Sequence, residues 1–114
     1  MNSSKSSRSQ NMITHKFDSI ETLEKRLGRM SLGYFLKSLR EADSIPQTIF
    51  AKKLRISRAN LCDIEKGRKF VSPERAIFFA RLLKLPEETL LKLSIQDILH
   101  NSNMNYEVAL KKIA

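Results

Sequence analysis

The stretch "PQTIFAKKLRISRANLCDIEKG", residues 46–67, decides the fold. It divides into two short helical patterns with almost no chain between them. Pro46 suits a first helical turn, because the N–H it lacks would find no partner there in any case. Phe50, Ala51 and Leu54 then recur on one face. Only Arg55 to Ser57 separate this pattern from the next. Ser57 is a good N-cap, since its hydroxyl can accept from an otherwise unpaired backbone N–H. Gly67 suits the left-handed residue that often ends a helix. Between the two, only Leu61 and Ile64 are large and apolar, so the second helix has a narrow inward stripe and a wide free face.

Two short helices joined by a three-residue turn form a helix-turn-helix arrangement. Close packing at a steep angle needs a small contact residue, and Ala51 supplies it. The turn needs an apolar anchor, and Ile56 fits. At about 100° per residue, Leu61 and Ile64 face inward and leave Ala59, Cys62, Asp63 and Lys66 outward. Arg58 projects from the N-terminal edge, where helices that read DNA touch base edges.

The same reading extends in both directions. "SLGYFLKSLREAD" predicts a preceding helix capped by Ser31, with Leu32, Phe35, Leu36 and Leu39 inward. "SPERAIFFARLL" predicts a following one, with Ser72 as cap, Pro73 at its first position and Glu74 favourable to the dipole. Ile77, Phe79, Ala80 and Leu83 supply its apolar surface. "PEETLLKL" repeats that start at Pro86, and "SIQDILHNS" continues helically. Before them, residues 13–30 predict an amphipathic helix, with Ile20, Leu23, Leu27 and Met30 at helical spacing and Asp18 and Glu21 at capping-box spacing. Residues 1–12 are too polar to build a core and are read as a disordered tail. In "NYEVALKK", Tyr106, Val108 and Leu110 alternate with polar or small neighbours, which favours a half-buried strand; the alternative is a helix, with Tyr106, Leu110 and Ile113 on one face. The expected class is all-α, with a short C-terminal extension over 94–114 that holds a last helix and a strand or helix. That extension reads as a dimerisation or partner-binding tail, or as a cap on the core.

Charge names a class of partner. The net charge is +9, with eleven Lys/Arg against five acids over residues 31–83 and four against four over 84–114. A polyanion fits the basic part, nucleic acid ahead of a membrane surface. No apolar run approaches the roughly 18 residues a bilayer needs. The start "MNSSKSSRSQNM" lacks an apolar signal core, which predicts a cytoplasmic protein. Cys62 is the one cysteine, so no internal disulfide is expected. His15 and His100 stand far apart with no cysteine nearby, which argues against a metal. No nucleophile–base spacing or phosphate loop invites an enzymatic reading or a cofactor.

"IPQTIFAKKLRISRANLCDIEKGRKFVSP", with "LGYFLKSLREAD" before it, resembles the Xre/Cro-type helix-turn-helix of bacterial and phage repressors. The resemblance covers residues 31–93 and rests on the Gln47 and Ala51 spacing, "ISR" leading the second helix and "IEKG" ending it. It implies a compact five-helix, lambda-repressor-like domain whose helix 57–66 lies in the major groove. By family position, Arg58, Ala59 and Asp63 face base edges. Gln47 sits near a phosphate or an outer base, Asn60 and Lys66 flank the groove, and Arg68 and Lys69 suit phosphate oxygens. Arg40 and Glu65 match a structural ion pair. Arg55 stands where the family usually has Gly, at a left-handed turn that costs a side-chain-bearing residue roughly 1–2 kcal/mol; a slightly altered turn is expected, with a phosphate contact by Arg55 in return.

Several roles stay open on the residues alone. Arg58 can pair with guanine or bind phosphate. Asp63 can accept from cytosine, pair with Lys66, or exclude wrong sequences. Cys62 reads as a small groove-side residue. Two biological readings fit the layout. One is a homodimeric transcriptional repressor on a pseudo-palindromic operator. The other is the antitoxin of a type II pair, which binds a protein toxin through residues 94–114 and represses its own operon.

Overall fold

A computed structural model describes residues 30–113. Residues 1–29 and Ala114 lie outside the described residues, and with them the expected N-terminal tail and nearly all of the helix expected over 13–30. Five helices follow from Ser31 onward: α1 (Leu32–Ala42), α2 (Gln47–Leu54), α3 (Arg58–Glu65), α4 (Pro73–Leu83) and α5 (Glu87–Asn101). The class is all-α, as the hydrophobic spacing predicts.

Three starts are fixed by serine side chains. The Oγ of Ser31, Ser57 and Ser72 accept from the backbone N–H of Tyr34, Asn60 and Arg75 at 3.1, 3.0 and 3.2 Å. Each satisfies one of the donors a helix start leaves free. Pro73 opens α4 as expected, whereas Pro46 and Pro86 stand just before α2 and α5 as their N-caps.

The five ends share one device. In each, an N–H reaches back five residues to a carbonyl: Ile45 to Arg40, Ile56 to Ala51, Arg68 to Asp63, Leu85 to Ala80 and Met104 to Leu99, at 2.8–3.0 Å. The residue before each donor has positive φ: Ser44, Arg55, Gly67, Lys84 and Asn103. This is the Schellman ending, which glycine ordinarily fills. Only Gly67 is a glycine here.

Leu32, Phe35 and Leu36 of α1, Phe50, Ala51 and Leu54 of α2, Leu61 and Ile64 of α3, and Phe79 and Ala80 of α4 are buried together. Val71, Ala76, Leu90 and Leu93 join them. Leu39, Ile77 and Leu83 are only half-buried, at the margin of the core. Gly33 lets α1 and α3 approach closely, since a Cβ there would run into the Ile64 carbonyl. α5 closes the unit. Its Asp97 accepts from the Leu32 N–H at 3.1 Å, at the start of α1, and its Ser94 donates to the Val71 carbonyl at 2.7 Å, in the α3–α4 loop.

After Asn101 the chain turns back at Asn103, and residues 104–113 carry no regular secondary structure. The strand or helix expected at 105–111 is absent from the described residues. A strand needs a ladder partner, and the partner here is one side chain. Gln96 of α5 donates from Nε2 to the Tyr106 carbonyl and accepts at Oε1 from the Val108 N–H, both at 2.8 Å. Alternation survives in the burial: Val108 and Leu110 are half-buried, Glu107 and Ala109 exposed.

Candidate nucleic-acid interface

The exposed face of α3 follows from how the helix is held. Leu61 and Ile64 are buried and fasten it to α1 and α2. Arg58, Ala59 and Lys66 are exposed, and Asn60, Cys62 and Asp63 half-exposed. Ala59, Asp63 and Lys66 fall at helical spacing on one side. No aromatic or branched apolar residue interrupts that side, so another surface can approach it closely.

A chain of polar contacts runs from the core to the start of this face. Glu65 is the anchor, with its side chain only 3% exposed. It accepts from Arg40 through both oxygens, Oε2 from Nε at 2.8 Å and Oε1 from Nη2 at 3.0 Å. The same Oε1 accepts from Nε2 of Gln47 at 2.9 Å. Gln47 in turn accepts at Oε1 from Nη1 of Arg58 at 3.2 Å. Arg40 completes its fork on the Ile45 carbonyl at 3.0 Å. Hydrogen bonding to Glu65 holds the Arg40 guanidinium above its ordinary pKa; partial burial opposes this, and the charges of Glu65 and Glu41 add to it. The Arg40–Glu65 pair that the resemblance implies is thus formed. Gln47 carries more than the sequence suggests, for its amide joins that pair to Arg58.

At the other end of α3 the partner of Asp63 is Arg68, whose Nε donates to Oδ1 at 3.0 Å. Lys66, three residues on, is not that partner, because Gly67 turns the chain back and brings Arg68 over the helix end. The N–H groups of Arg68 and Lys69 also donate to the Asp63 carbonyl, at 2.8 and 3.2 Å. Both residues, with Phe70, stand exposed beyond it. The turn at Arg55 is left-handed without glycine, with φ 62° and ψ 40°. The guanidinium of Arg55 stands over the ring of Phe78 on α4, 5.9 Å from its centroid, in cation–π range. Arg55 therefore leans on α4, apart from the cluster formed by Gln47 and Arg58.

Over residues 47–69 the chain carries seven Lys/Arg against two acids. One acid, Glu65, is neutralised by Arg40, and the other, Asp63, by Arg68. The surface around α3 is therefore basic and rich in hydrogen-bond donors, which is the footprint of a polyanion-binding site. A short capped helix held from behind, exposed in front and flanked by cations defines a helix-turn-helix DNA-binding module. Comparison with protein families agrees: residues 31–93 match the model described as helix-turn-helix domain, more than half of the chain. The chain belongs to the helix-turn-helix domain family. No curated protein and no solved structure matches it. None of the helices among the described residues is long and apolar enough to cross a membrane.

Proposed function

We propose that this chain is a sequence-specific regulator of the Xre/Cro type, a dimeric repressor that reads the major groove of double-stranded DNA with α3. The observation that carries this reading is the polar chain Arg40–Glu65–Gln47–Arg58, which sets an exposed arginine at the start of a helix whose outer side is otherwise open. Arg58 reads a base, with guanine O6 and N7 as its natural partners. Ala59 offers a methyl surface, and Asn60 and Lys66 flank the groove. Lys69 binds phosphate together with Arg68, and Arg55 is a more distant backbone contact. Asp63, tied to Arg68, accepts from cytosine only when that arginine swings to a phosphate. Two copies on a pseudo-palindrome would place their α3 helices about 34 Å apart, one duplex turn.

The test is selection of bound sequences from a random duplex pool, followed by fluorescence anisotropy with the selected duplex. Affinity should fall steeply with salt, since each phosphate neutralised contributes about −0.9 to the log–log slope. Arg58→Ala should relax preference at one position and cost about 1–3 kcal/mol on the selected duplex. Lys69→Ala should weaken every duplex alike and flatten the salt slope by about 1. Equal losses on all sequences for Arg58→Ala would remove it from the readers.

A second reading concerns residues 94–114. Met104, Tyr106 and Ile113 are exposed there, and this favours a protein-binding surface, such as an antitoxin presents to its toxin. Co-purification from the native host tests it. A small partner protein lost when residues 104–114 are removed supports that role; recovery of this chain alone counts against it.

A further inference from the structure

The tail after α5 presents an edge that its own chain leaves open. Gln96 binds the Tyr106 carbonyl and the Val108 N–H, groups two residues apart, the spacing at which an extended backbone presents one edge to a neighbouring strand. In such a backbone the N–H and C=O groups of residues 105, 107, 109 and 111 point to the opposite edge. None of these groups bonds to a described residue. The side chains alternate as well. Val108 and Leu110 are half-buried, and Leu110 borders a cleft with Pro86 and Leu91; Glu107, Ala109 and Lys111 are exposed, Lys111 at the rim of that cleft beside Glu87 and Glu88. Neither Glu107 nor Lys111 forms an ion pair with a described residue.

We propose that this edge pairs with the same edge of a second copy, antiparallel and about a two-fold axis at Ala109. The sequence of the edge is self-complementary in that register only. Glu107 then stands opposite the partner's Lys111, and Lys111 opposite the partner's Glu107. Ala109 meets its own counterpart at the axis, where a small side chain avoids crowding. Centring the pair on residue 107 or 111 would set like charges opposite each other, which is destabilising. Centring it on 108 or 110 would leave Glu107 facing Ala109 or Ile113. The interface is isologous, as a closed dimer requires, and the segment from Lys84 onward carries no net charge to repel its copy. The inference deepens the dimeric reading above and gives that dimer its seam.

Sedimentation of the full chain without DNA tests it, on the wild type, Glu107→Lys, Lys111→Glu and the double exchange. Two cross-strand pairs turn repulsive in either single variant, so the dimer dissociation constant should rise about tenfold or more. The double exchange should return it to within about threefold of wild type. A mixture of the two single variants should associate more tightly than either alone, because each supplies the charges the other lacks. A wild-type monomer at about 100 μM overturns the proposal and leaves the edge to a different protein. So do unchanged association of Glu107→Lys or failure of the double exchange to recover. A wild-type dimer that ignores these charges would keep the dimeric reading and reject this seam, and neither result decides whether α3 reads DNA.

Discussion

Glu65 accepts three hydrogen bonds while almost wholly buried, and that load decides what substitutions around it do. Arg40→Ala would leave its carboxylate with Gln47 alone, and breaking a buried pair from one side costs about 3–5 kcal/mol. Chemical denaturation should show this, with Arg40→Ala/Glu65→Ala much milder than the sum of the single losses. Arg40→Lys should recover only part, because an ammonium cannot reproduce the planar fork that meets both oxygens. The pH dependence has a definite sign. A folded-state pKa above the ordinary arginine value means that the contribution of Arg40 is whole below that value and fades only as pH rises through the raised one. Arg40 therefore gives stability no pH dependence from neutrality to about pH 12. Gln47→Ala should leave the Arg40–Glu65 pair standing but free Arg58, so it should blur sequence preference and cost about 1.5–3 kcal/mol of stability, the worth of a hydrogen bond to a buried charged group. The ion pair was readable only through the family resemblance. Its extension through Gln47 was not, since side-chain bonds across 11 and 18 residues leave no periodic trace.

At the scale of elements, the starts of helices are legible and the ends much less so. Ser31, Ser57 and Ser72 announce themselves, because capping is chemistry between near neighbours. The endings carry Ser44, Arg55, Lys84 and Asn103 where glycine is the usual choice, so composition gives little hint of the left-handed turns. Of these four, only Arg55 stands out against the family pattern, and its turn keeps the left-handed form despite the side chain. Glycine at these sites should stabilise, by a margin that depends on what the present side chain does. Lys84→Gly removes a left-handed penalty of about 1–2 kcal/mol at the cost of a looser unfolded chain. It should raise stability by up to about 1 kcal/mol. Arg55→Gly should gain less, because it also loses the stacking on Phe78, about 0.5–1 kcal/mol at an exposed site. Thermal melts of the two variants should rank in that order. Gly33→Ala should act in the opposite sense. Its methyl would meet backbone and not a yielding side chain, so about 3 kcal/mol of overpacking cost is expected.

For the whole molecule, α5 governs what counts as the domain. The family match stops at residue 93, yet α5 continues unbroken to Asn101, as the helical continuation over 94–102 predicts. Its second half holds two buried polar side chains, Ser94 and Asp97, that reach the Val71 carbonyl and the first turn of α1. A sequence reading that looks for apolar stripes passes over both, because a serine and an aspartate look like surface. Their partners lie 23 and 65 residues away. A chain ending at residue 93 would lose the second half of α5, with the Asp97 and Ser94 bonds that tie it to the start of α1 and to Val71, and the apolar cover that half provides. Domains of this size hold only about 5–15 kcal/mol in total, so that truncation should abolish most of the cooperative melt followed by circular dichroism. A chain ending at Asn103 keeps α5 and both bonds, and should melt within a few degrees of the full chain. It loses the open edge beyond Gln96, so its sedimentation should report a monomer while its core remains folded. Comparable melts for the two truncations would mean that Ser94 and Asp97 merely decorate the core and that the domain does end where the family pattern stops.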